Sequence, residues 1–77
     1  MIRKTDLRLN AQADVSSAVY DTEQLVIALR ELDEAISTLD VVEIKKAVNK
    51  VEYEQSVLNE YLGYAIKNSK ELLKVRD

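Results

Sequence analysis

Ser37-Thr38-Leu39-Asp40-Val41-Val42-Glu43-Ile44 decides whether this chain is a rod or a hairpin. Asp40 is followed three residues later by Glu43, the spacing of a capping box. In that motif each side chain accepts a backbone N–H that a helix start leaves orphaned. Leu39 before the cap and Ile44 four residues beyond it are spaced as a hydrophobic staple. The stretch predicts a helix that begins at Val41, with a separate helix before it. The alternative is one continuous helix through Asp40, because the turn holds neither glycine nor proline.

A heptad stripe runs away from this point in each direction. Before it come Val15, Ala18, Thr22, Leu25, Leu29, Leu32, Ile36 and Leu39. After it come Ile44, Val48, Val51, Gln55, Leu58, Leu62, Ala65, Ser69 and Leu72. A 3–4 spacing lines one face of an α-helix and is the pattern of helices that pack on helices. The expected fold is all-α: an antiparallel hairpin whose helices cover about residues 15–39 and 41–75. The expected seam residues are Leu25, Leu29, Leu32 and Ile36 on the first helix, and Val48, Val51, Leu58 and Leu62 on the second.

Residues 1–14 read two ways. Leu7, Ala11 and Val15 continue at helical spacing, while Leu7, Leu9, Ala11 and Ala13 alternate with Arg8, Asn10 and Gln12 as in a half-buried strand. Length favours helix, since a second helix of about 35 residues spans ~52 Å and the first matches it only by starting near Thr5 or Asp6.

Composition narrows the function. The 77 residues contain one glycine (Gly63) and no proline, cysteine, histidine or tryptophan. Disulfides and thiolate metal sites are excluded, and the usual neutral-pH general base is missing. There is no phosphate-cradling glycine loop and no nucleophile–base pair. Glu52, Glu54 and Glu60 lack the histidines that di-metal bundles pair with carboxylates. The reading is a non-enzymatic protein with no cofactor and no metal. The longest purely apolar run, Leu25 to Leu29, is too short for a membrane span, and the start carries no apolar leader. A soluble, cytoplasmic protein is expected.

A chain this short is poor in core, and without disulfide or metal its remedy is assembly. Valines and tyrosines outside the seams (Val19, Tyr20, Val26 and Ile27; Val57, Tyr61, Tyr64 and Ile66) imply a second contact surface, as in a four-helix bundle of two hairpins. The expected partner is a second copy or another helical protein. Charge is segregated: residues 15–44 hold seven acids and one base, residues 45–77 seven bases and five acids. Exposed pairs of that kind select partners more than they stabilise.

Tyr53, Val57, Tyr61 and Tyr64 form a stripe on the second helix that Tyr20 can meet from the first. Tyrosine joins apolar area to a tolerated hydroxyl, and is frequent at binding hot spots. These five residues are the expected partner-binding surface, with a half-exposed bundle core as the plainer reading. Thr22, Gln55 and Ser69 interrupt the seams as register devices do. Gly63 costs the helix ~0.8–1 kcal/mol relative to alanine.

Two resemblances supply alternatives. Arg8, Asn10 and Gln12 share one face if residues 4–14 are extended, and in this they resemble the base-reading ribbon of ribbon-helix-helix repressors. That implies a DNA-binding regulator, although the acidic stretch 15–44 opposes phosphate. The layout of two amphipathic helices after an Ile-Arg start also resembles the small helical-hairpin proteins handled by type VII secretion. Leu39-Asp40-Val41-Val42 stands where those carry Trp-x-Gly. This implies a structural subunit of a secretion or filament assembly.

Overall fold

A computed structural model describes residues 4–74. They form two long helices, α1 (Lys4–Thr38) and α2 (Val41–Lys74), packed side by side as an antiparallel hairpin 58 Å long and 14 Å across. The expected all-α hairpin is the fold. Val75 and Arg76, expected at the end of the second helix, lie outside the described residues. No helix among the described residues is long and apolar enough to cross a membrane.

The turn works as an N-cap, but not as a complete capping box. Asp40 Oδ1 accepts from the backbone N–H of Val42 at 2.9 Å and of Glu43 at 3.3 Å. The reciprocal arm comes from α1: the Asp40 N–H donates to Thr38 Oγ1 at 3.2 Å, and that hydroxyl donates to the Ala35 carbonyl at 2.6 Å. Glu43 instead lies 3.9 Å from Lys46. Nor is there a hydrophobic staple, because Leu39 is 81% exposed. Leu39 adopts φ 57°, the left-handed conformation that closes many helices and that a side chain resists. Two opposite results follow for thermal melts. Asp40→Ala is expected to lose about 0.5–2 kcal/mol of stability with its cap. Leu39→Gly is expected to gain about 0.5–1 kcal/mol, since the side chain is strained and buries almost nothing.

Residues 4–14 are helical, part of α1, and not an extended ribbon. At 100° per residue Arg8, Asn10 and Gln12 point in different directions, and the shared base-reading face is lost. The two helices, 35 and 34 residues long, match in length as the hairpin requires.

The seam differs from the expected one at every second position. The residues turned toward the partner helix are Leu7, Ala11, Asp14, Ala18, Asp21, Leu25, Ala28, Leu32 and Ala35 on α1. On α2 they are Ile44, Ala47, Val51, Glu54, Leu58, Tyr61, Ala65, Asn68 and Leu72. Leu25, Leu32, Val51 and Leu58 sit in the seam as expected. Leu29, Ile36 and Leu62 do not: they are 47%, 51% and 41% exposed, while the preceding Ala28 is fully buried. Val48 is half-buried beside the buried Ala47. The reason is steric. Alanine lets two backbones approach closely, and the larger neighbour is then forced to the edge. The buried apolar residues are all alanines (Ala11, Ala18, Ala28, Ala35, Ala47 and Ala65), and among the described residues no large side chain is fully buried. Each alanine removes little apolar area from water, so the seam positions the helices more than it stabilises them.

Polar pairs also link the two helices. Lys50 Nζ meets Glu31 Oε2 at 2.9 Å toward the turn, and Asn68 donates to Asp14 toward the open end. Thr22 needs no partner from the other helix, since its hydroxyl donates to the Ala18 carbonyl at 2.7 Å.

Candidate functional site

In an antiparallel pair, residues that follow the seam by one position in each helix emerge on the same edge. Residues that precede it emerge on the other. The two edges of this hairpin are unlike.

The following edge is apolar. On α1 it carries Val15, Val19, Thr22, Val26, Leu29, Asp33 and Ile36, itself an unbroken 3–4 repeat, with its valines, leucine and isoleucine 41–54% exposed. On α2 the same edge carries Val48, Leu62, Ile66 and Leu73, with Glu52, Gln55 and Asn59 between them. The α1 stripe is thus a second heptad seam with nothing packed on it.

The preceding edge is polar and aromatic. Near the turn lies a cleft of about 400 Å³ with charged walls, where Glu31 is paired with Lys50 and Glu43 with Lys46. Nearer the open end lies a second cleft of about 430 Å³, lined by Ser16, Ser17, Tyr20, Asp21, Val57 and Tyr61. The structure therefore brings Tyr20, Val57 and Tyr61 together from different helices. Tyr64 does not line the cleft but packs edge-on against Tyr61, ring centroids 6.1 Å apart at 80°. Tyr53, one turn before Val57 and 66% exposed, stands away from it. The Tyr64 hydroxyl donates to Glu60 Oε1 at 3.0 Å, and this bond, with the charge of Glu60 behind it, raises its pKa above the ordinary tyrosine range.

Asp21 is the residue the tyrosine pattern does not announce. It is 7% exposed, and its Oδ2 has no hydrogen-bond donor. Read by sequence it belongs to the acidic surface of helix 1; counting by sevens from Asp14 and Ala28 places it in the seam. Gly63 opens onto free space, so a side chain there would meet nothing. Glu52, Glu54 and Glu60 do not converge, and no group of three or more potential metal ligands occurs among the described residues.

Fold and edges together define an antiparallel helical hairpin with one apolar edge and one polar, aromatic edge. Comparison of the chain with protein-family models, curated proteins and solved structures finds no match.

Proposed function

We propose that the protein is a non-enzymatic protein–protein interaction module that pairs with a second copy through its apolar edge. The observation that carries this is the exposed stripe Val15, Val19, Val26, Leu29 and Ile36. It repeats at heptad spacing on a face the hairpin itself leaves unused. With residues 14–38 overlapping, a face about 37 Å long and 14 Å wide offers about 500 Å² per copy, at the low end of specific interfaces.

The stripe is self-complementary. A two-fold axis across the helices at Val26 lays α1 antiparallel on α1 of the second copy. Val26 then meets its own equivalent, Val15 lies opposite Ile36, Thr22 opposite Leu29, and Val19 opposite Asp33, the one charge in the stripe. On the flank, Glu23 faces Arg30, the one base between residues 15 and 44. Stacking α1 over α2 of the second copy instead sets the stripe against a face broken by Glu52, Gln55 and Asn59.

Sedimentation equilibrium tests this. The wild type is expected to be a dimer. Glu23→Arg is expected to weaken it about three- to tenfold, within the ~1 kcal/mol range of exposed pairs, and adding Arg30→Glu to restore it. A monomer at high micromolar concentration would sink the proposal, and open-ended growth would favour a filament subunit.

A further inference from the structure

We propose that the cleft between Tyr20 and Tyr61 is a receptor site for a guanidinium group, an arginine side chain presented by a partner protein. It rests on the interaction-module reading but uses the edge opposite the dimer face. Asp21 forms its floor: it is 7% exposed, and its Oδ2, shielded from solvent behind the rest of the side chain, lacks any donor. Tyr20, 60% exposed, forms the rim, and Tyr61 and Val57 close the other side from α2. Ser16 and Ser17 supply hydroxyls at the mouth.

Each part matches a property of guanidinium. Its planar cation is weakly hydrated and lies well against phenol rings. Its fork of N–H groups can bridge both oxygens of the carboxylate once a turn about the Cβ–Cγ bond brings the shielded oxygen toward the cleft. The methylene stem leading to it is covered by Val57 and the ring faces. The lining favours a cation as well, since Asp21 is the one charged residue among those that line the cleft. The cleft near the turn lacks this character, because Glu31 and Glu43 already hold Lys50 and Lys46.

The test uses N-butylguanidinium and its neutral isostere N-butylurea, followed by the ring-proton NMR signals of Tyr20 and Tyr61 in the full chain. N-butylguanidinium is expected to shift both rings saturably, with Kd on the order of millimolar, a few kcal/mol for one small group. N-butylurea is expected to bind at least about tenfold more weakly, having lost the charge-assisted bond. Asp21→Asn keeps the shape of the floor, and Tyr20→Ala changes only an exposed rim; both are expected to lose the binding with helicity unchanged. Equal shifts from the two compounds, binding that survives in Asp21→Asn, or no saturable shift up to about 50 mM each overturn the proposal. Sedimentation of the same samples reports dimerisation separately, so failure of the cleft and failure of the apolar edge are distinguishable.

Discussion

Ala28→Leu is expected to destabilise the hairpin, while Leu29→Asp, one residue along, is expected to leave it folded and dissociate it into monomers. Ala28 has no exposed surface and faces α2 in the seam. Three additional heavy atoms there have no room, and overpacking of this kind costs about 1–3 kcal/mol. Leu29 is 47% exposed and touches the outer edge, so the hairpin loses little with it. In the proposed dimer each Leu29 packs beside Thr22 of the second copy, and an aspartate in both places leaves two unpaired charges in the interface. A loss of about 3 kcal/mol, roughly a hundredfold in Kd, is expected. Thermal melts followed by circular dichroism read the first effect, and sedimentation reads the second. The reverse outcome, an indifferent Ala28→Leu and an unfolding Leu29→Asp, would mean that the helices pack through the bulkier stripe.

That pair of neighbours also shows why the hairpin was legible and its seam was not. Asp40 announces a helix start through its own chemistry, and the matched helix lengths follow from where the stripes end. The phase of the seam has no such marker. In four heptads two adjacent apolar residues compete: Ala28 with Leu29, Ala35 with Ile36, Ala47 with Val48, Tyr61 with Leu62. Hydrophobicity favours the larger aliphatic residue each time. The chain uses the other, an alanine in three of the four cases, and the larger neighbour is left at the edge; Tyr61 is the exception, a large residue kept in the seam beside Asp21. The tyrosine cluster was legible as apolar surplus beyond one seam. Asp21 was not, since a carboxylate in an acidic stretch looks solvated until the alanine phase is known.

Asp21→Leu is expected to make the hairpin more stable and to remove its cleft function at the same stroke. In the wild type the carboxylate is buried with one oxygen unpartnered, which costs about 1–3 kcal/mol. Leucine removes that cost and adds apolar burial between Ala18 and Leu25, worth up to about 1.5–3 kcal/mol if it fits fully. Part of the gain is lost to crowding against Tyr61. A net gain of about 1–2 kcal/mol raises Tm by roughly 5–15 °C in a domain of this size. Asp14 is the internal control. It holds the equivalent seam position one heptad earlier, but it accepts a hydrogen bond from Asn68. Asp14→Leu leaves that amide without its acceptor, so its gain is expected to be small or negative. A seam selected for stability alone has no reason to keep Asp21 beside Tyr20 and Tyr61, whereas a site for a cation needs it there. If Asp21→Leu lowers Tm while Asp14→Leu raises it, the carboxylate at Asp21 is fully satisfied in solution, and the argument for a waiting anion in the cleft fails with it.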